Sequence, residues 1–169
     1  PSYDRLWGMI GATLAGRGVV EGHGSGLRDI GEINAFAAAG LASDHEVQTP
    51  EETWDKLRHG LFTEIRVYNM AEIIKYLLAQ GLEDWSQVAF TTDDRSASHT
   101  LRDGATDHNI RSAIAAGLKP EIAIQCATIN PARHMRLTPY IGSIAPGRFG
   151  DVVLLSDVEA LKIEKVWAD

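Results

Sequence analysis

Segments with a helical apolar period take turns with short apolar runs along most of this sequence, and that alternation restricts the fold more than any other feature. Tyr3 to Ala15 sets Leu6, Met9, Ile10 and Leu14 on one helical face and closes at Gly16 and Gly18. Val19-Val20 reads as a short strand, Leu27 to Ala39 as a helix ended by Gly40, and Leu41-Ala42-Ser43 as a second brief strand. Thr49-Pro50-Glu51-Glu52 places a hydroxyl at N-cap, proline at the first helical position and glutamate at N3, and predicts a helix to about His59. Leu61 to Val67 is expected as a strand, Met70 to Ala79 as a helix, Gln87 to Thr91 as a strand, and Asp107 to Ala116 and Pro120 to Leu137 as helices. Four strands separated by helices indicate a parallel sheet. The pattern suits part of a (β/α)8 barrel, and a doubly wound sheet shares it, because periodicity does not distinguish a closed sheet from an open one.

The texture changes after Pro139. "YIGSIAPGRFGDVVLLSD" has glycine and proline turns between short β-rich runs. A boundary is expected near residue 138, dividing an α/β portion, residues 1–138, from an all-β segment, residues 139–169. The second part, about 30 residues, is too short for an independent core.

Each polar cluster follows the end of an expected strand: His23 within "VEGHGSG", Asp44-His45 and Asp93-Asp94. In parallel α/β folds chemistry gathers at the C-terminal strand ends, where loops vary without disturbing the core. A catalytic divalent metal takes about three nitrogen or oxygen ligands and keeps a position for water. His23, His45 and Asp93 form such a set, spaced by about 22 and about 48 residues, roughly one and two βα units. The glycines around His23 either admit a close approach or make a plain flexible turn. His59 and His134 lie near helix C-termini, where positive charge is favoured, and are expected to be structural. His99, in a loop continuing from Asp93, and His108, opening a helix, either reach the site or face solvent.

Charge and cysteine content narrow the remaining classes. The formal net charge of −7 comes with acidic and basic residues interspersed, so nucleic acid and anionic membrane are not expected partners. No apolar run approaches a membrane span and the start "PSYDRLWGMI" lacks a signal-peptide order, so a soluble, cytoplasmic protein is expected. Cys126 is the single cysteine, which excludes an internal disulfide and a cysteine-built zinc site. Its apolar setting predicts a buried, inert thiol.

"VVEGHGSGL", "GLASDHE", "FTTDDR", "ATDHNIRSAIAAGL" and "ATINPARHMRLTPYIGSIAPGRFGDVVLLSD" together resemble the adenine deaminases of the amidohydrolase superfamily, from about Asp4 to Asp169. The last of these stretches is similar to the barrel exit of many amidohydrolases, whereas the first three are more specific to the adenine group. The resemblance implies the C-terminal half of a (β/α)8 metal-dependent hydrolase barrel, followed by a short all-β segment of a composite β-sandwich. It implies a binuclear divalent metal site holding manganese or iron, with zinc as a further option. It makes His23 the ligand after the fifth barrel strand, His45 the ligand after the sixth, and Asp93 the metal-binding, proton-shuttling aspartate after the eighth. The implied activity is hydrolytic deamination of adenine to hypoxanthine and ammonia, with a free purine base as substrate and a homo-oligomeric assembly. Asp94, Arg95, His99 and Arg66 are the candidates for substrate contact.

Two departures accompany the resemblance. No His-x-His pair occurs, and the carboxylate expected after the fourth strand has no counterpart, so this sequence is expected to be a piece of a longer enzyme whose N-terminal barrel half completes the site. In "EIRVYNMAE" Arg66 fits the family pattern, but Val67 and Tyr68 stand where an acidic residue and glycine are usual. Other readings are an amidohydrolase acting on a cyclic amide such as a hydantoin or dihydropyrimidine, and a metal-free structural remnant.

Overall fold

The computed structural model describes residues 2–27 and 29–168. Pro1, Arg28 and Asp169, which fall within the expected segments above, lie outside the described residues. The order of elements is α1 (Tyr3–Ala15), α2 (Ile30–Ala38), β1 (Ser43–Asp44), α3 (Pro50–Arg58), β2 (Phe62–Arg66), α4 (Met70–Ala79), β3 (Val88–Thr91), α5 (Ala97–Asp103), α6 (Thr106–Ala115), α7 (Pro120–Ala127), α8 (Ile129–His134), β4 (Val152–Asp157) and β5 (Lys162–Trp167).

Strands β1, β2 and β3 form a parallel sheet in that order, with Ser43 beside Phe62 and Ile65 beside Phe90. Because side chains alternate across a strand, Thr63, Ile65, Val88 and Phe90 share one face and Phe62, Glu64 and Arg66 the other. The first face is covered by helices. Ile65, Val88 and Phe90 pack with Met70, Ile73, Ile74 and Leu77 of α4 and with Ile110 and Ala113 of α6. Cys126 of α7 belongs to this core, and burial pushes its thiol up to about 12, so it is inert as expected.

The starts of α1, α2, α3 and α5 follow side-chain caps. Thr49 accepts from the Glu52 amide as read from the sequence, while the Glu52 carboxylate reaches one residue further back, to the Gln48 amide at 3.3 Å. The helix expected from Leu27 begins at Ile30, because Asp29 caps it by accepting from the amides of Gly31 and Glu32. The expected helix from Pro120 to Leu137 is two, α7 and α8, broken at Thr128 where φ is −133° and ψ −84°. Helix α5 occupies a stretch expected to be loop; Ser96 caps it through the His99 amide.

The four-strand expectation also needs correction. Val19-Val20 forms no strand; one hydrogen bond, from the Ala42 amide to the Val20 carbonyl, ties it to the segment entering β1. Further along, the Gly22 amide goes to the Ser43 hydroxyl rather than to a backbone carbonyl, so the ladder does not continue. The expected strand at Leu41-Ala42-Ser43 appears shifted, as β1 at Ser43–Asp44.

From residue 138 to 151 the chain makes turns, and β4 and β5 then pair antiparallel as a separate sheet. Leu161, 5% exposed, and Leu155 join this hairpin to the main core. An apolar cavity of about 770 Å3, lined by residues such as Ile124, Leu137, Ile144 and Ile163, lies between the hairpin and α6 to α8. None of its lining residues is among the polar clusters after the strands. Among the described residues no helix is long and apolar enough to cross a membrane.

Candidate metal centre

The C-terminal ends of β1, β2 and β3 carry the polar groups. His23 stands in the loop before α2 with Gly22 and Gly24 buried on either side. Both glycines are demanded by packing. A Cβ on Gly22 would come within 2.6 Å of the Phe36 ring and would collide with the Ser43 carbonyl; one on Gly24 would lie 2.7 Å from Leu27 and 3.2 Å from the Asp44 carboxyl carbon. Close approach explains these two glycines, whereas Gly26 answers a backbone turn with φ of 80°.

That approach brings His23 to His45, which follows β1 directly. His23 Nδ1 and His45 Nε2 are 3.1 Å apart, with ring centroids at 5.0 Å and planes at 72°. Glu46, 8% exposed, completes the group: an oxygen or nitrogen from each of His23, His45 and Glu46 lies within 4.8 Å of the others. Two imidazoles and a carboxylate are the donor set of a divalent cation that prefers nitrogen and oxygen, so the residues present fit such an ion.

The Glu46 carboxylate accepts from Ser25 Oγ at 3.0 Å and from Arg66 Nη1 at 2.7 Å. The same Arg66 nitrogen donates to Asp93 Oδ2 at 2.9 Å, and Asp94 lies 3.7 Å away. Arg66 is thus a bridge that joins the histidine group after β1 to Asp93 after β3. Its hydrogen bond to Asp93, with a lesser part from the His45 charge, holds that carboxyl below the usual range. Burial opposes the charge on Arg66, but Asp93, Glu46 and Asp94 outweigh it and raise its pKa. Asp93 has φ of 42°, a left-handed conformation that aspartate tolerates in a tight turn.

His23, His45 and Asp93 therefore sit at one end of the sheet, with Asp93 joined to the others through Arg66. The remaining candidates divide. Asp94 is beside Arg66 and 69% exposed. Arg95 turns toward α5, where it donates to Asp103 at 3.1 Å and to the His99 carbonyl at 3.3 Å. His99 lies in α5, and its backbone rather than its ring is what Arg95 engages. His108 is in α6, where burial and the nearby Arg95 lower its pKa. His59 caps α3, its ring bonded to the Asp55 carbonyl at 2.7 Å, in keeping with a structural residue. Glu46 is the residue that sequence reasoning passed over. Its signal was its place directly after His45, in a stretch already singled out.

A second polar group occupies the same face nearer the start of the strands. His134, the last residue of α8, stacks on Phe62 with centroids 4.0 Å apart and bonds Glu21 at 2.7 Å. The bond from His134, with another from Ser43, lowers Glu21 to about 2, whereas burial and the adjacent Glu21 raise Glu64 to about 7.

Comparison with known proteins identifies the family. The model of the amidohydrolase family matches residues 17–169. Adenine deaminase 1 of Bradyrhizobium sp. (strain ORS 278) is 79% identical over all 169 residues, and adenine deaminase 2 of Jannaschia sp. (strain CCS1) 67%. An adenine deaminase of Listeria monocytogenes serotype 4b is 37% identical over 98% of the chain. The chain spans only 27% of the length of the first two and 28% of the third. Among solved structures, an uncharacterized protein superposes with a TM-score of 0.69 at 17% identity, covering 99% of this chain and 48% of its own. An amidohydrolase superposes with 0.67 at 19% identity, covering 99% and 47%. At such identities the likeness shows the fold alone.

Proposed function

The chain belongs to the amidohydrolase family, and on that footing we propose that it is part of an adenine deaminase, which converts adenine and water to hypoxanthine and ammonia. Residues 1–138 supply the later strands of a (β/α)8 barrel and residues 139–169 the start of a β-sandwich. The observation that carries the reading is the joining of His23, His45 and Glu46 to Asp93 through Arg66, in a chain up to 79% identical to proteins of that name.

His23, His45 and Asp93 are the proposed ligands of a divalent metal pair, manganese or iron, with Glu46 as a further donor. Such a metal supplies Lewis acidity, by which water becomes a nucleophile near neutral pH. Asp93, ionised because Arg66 holds Oδ2, receives the water proton at its carboxylate as oxygen adds to C6 of the purine. The same carboxyl then returns that proton to the departing amine as the exocyclic C6–N bond breaks, and the proton left on the C6 oxygen passes to N1, giving hypoxanthine and ammonia. Arg66 holds the Asp93 and Glu46 carboxylates beside one another by donating to both.

The test is ammonia release from adenine by the longest native polypeptide containing this chain, with manganese or ferrous iron supplied and metal content measured on the same sample. Metal-dependent release is expected. Bound metal with no release from adenine would move the substrate to another cyclic amide or amidine; a protein that neither binds metal nor releases ammonia would remove the catalytic reading.

A further inference from the structure

Lys56 is 0% exposed, a fully buried cation on α3. Its Nζ donates to the Asp44 Oδ2 carboxylate oxygen, to Glu52 Oε1 at 2.5 Å and to the Gly24 carbonyl at 3.1 Å. The other Asp44 oxygen, Oδ1, accepts from the Gly24 amide at 2.7 Å and the Glu46 amide at 3.0 Å. Gly24 follows His23, and Asp44 and Glu46 flank His45. Both backbone polar groups of Gly24 are therefore fixed by one buried ion pair, which also fixes the residue after His45.

Asp44 and His45 are neighbours in the sequence and their side chains go to opposite faces. Asp44 turns into the helix layer to meet Lys56, whereas His45 turns to His23. Asp44 is no ligand itself. Burying three charges is costly, and a buried ion pair is weak evidence for stability, so its use is to select one arrangement of the chain. Here that arrangement is the 3.1 Å approach of two imidazoles carried by separate loops.

We propose that the Lys56–Asp44 pair is a positioning device that sets His23 and His45 for metal binding by pinning the backbone beside each. The inference rests on the reading of these histidines as ligands. Partners that orient metal ligands are worth about 10–100-fold in metal affinity.

The test takes the full-length protein containing this chain, strips it of metal and titrates it with Mn2+ by calorimetry, with hydrogen exchange of the Gly24 and Glu46 amides followed in the metal-free state. Asp44→Ala is expected to weaken Mn2+ binding about 10–100-fold. Asp44→Asn, which keeps the shape and the Oδ1 acceptor, should weaken it less. Both should speed exchange at the two amides. Leu77→Ala, on the buried face of α4, should lower the unfolding midpoint without altering Kd or exchange at those amides. Unchanged Kd and exchange in the Asp44 variants would overturn the proposal, and so would a loss in Leu77→Ala as large as in Asp44→Ala. If Asp44→Ala does not fold, Asp44→Asn decides alone by the same two readouts. A wild-type protein that binds no Mn2+ would sink the reading of the histidines as ligands, and this inference with it; a wild type that binds and variants that bind equally would sink only the inference.

Discussion

At the scale of single residues, the site depends on groups whose neighbours leave them little choice. Asp93, two residues after β3, is held by Arg66 at one oxygen at 2.9 Å, whereas Asp94 lies 3.7 Å from the same nitrogen and is largely exposed. Asp93→Asn keeps the shape and the bond from Arg66 but cannot take the water proton. In the full enzyme it is expected to reduce turnover by about 10²–10⁴-fold with an unchanged circular dichroism spectrum. Wild-type rates would remove Asp93 from the chemistry. Gly22→Ala tests the packing side, since its methyl group meets the Ser43 carbonyl and the Phe36 ring. Overpacking of this kind costs about 1–3 kcal/mol. A lowered urea midpoint together with weaker Mn2+ binding is expected, and a neutral outcome would mean that the turn yields easily. The placement of His23, His45 and Asp93 at one end of the sheet was legible in the sequence, because each follows a run of apolar residues. Glu46 was not, because its role arises from the fold of a loop that brings Ser25 and Arg66 to it.

At the scale of elements, legibility followed local signals. Helices α1 and α4 agree with the periodicity from end to end, and α3 agrees to a residue because its cap, proline and first-turn glutamates all act within one turn. The break between α7 and α8 was announced by Pro131, which has no amide to donate to Ala127 and so interrupts a continuous helix at Thr128. Asn130, at the start of α8, adds bonds to the carbonyls of Trp85 and Val88, a tertiary demand that periodicity does not carry. Elements also meet through Glu21, Glu64 and His134, and here a pH dependence follows. Glu64 of β2 is raised from 4.5 to about 7 mainly by burial. Between those values the folded chain keeps a proton that the unfolded chain releases, so stability from this group is full below about 4.5 and falls as pH rises through about 7. Glu21, lowered to about 2, acts oppositely and only at acid pH. Urea midpoints of the full protein should decline across the upper window, and Glu64→Gln should flatten that decline. An equal slope in the variant would show that another group sets it.

At the scale of the whole molecule, the distribution of apolar surface is uneven. The face of the sheet toward α4 and α6 is sealed, whereas α1 presents Tyr3 at 81% exposure together with Leu6, Trp7 and Met9, and the hairpin presents Val153, Leu154, Val166 and Trp167. Exposed apolar patches of this extent in soluble proteins mark surfaces that another part of the protein or a partner covers. The chain spans 27% of the length of the Bradyrhizobium and Jannaschia adenine deaminases that it matches, and the remainder of such a polypeptide is the proposed cover. Produced alone, residues 1–169 are therefore expected to bind a hydrophobic dye and to sediment well above 18.4 kDa. The full-length protein should bind little dye at equal concentration. A clean monomer of residues 1–169 without dye binding would mean that these surfaces need no cover, and that the parallel sheet and the hairpin together make a complete folding unit.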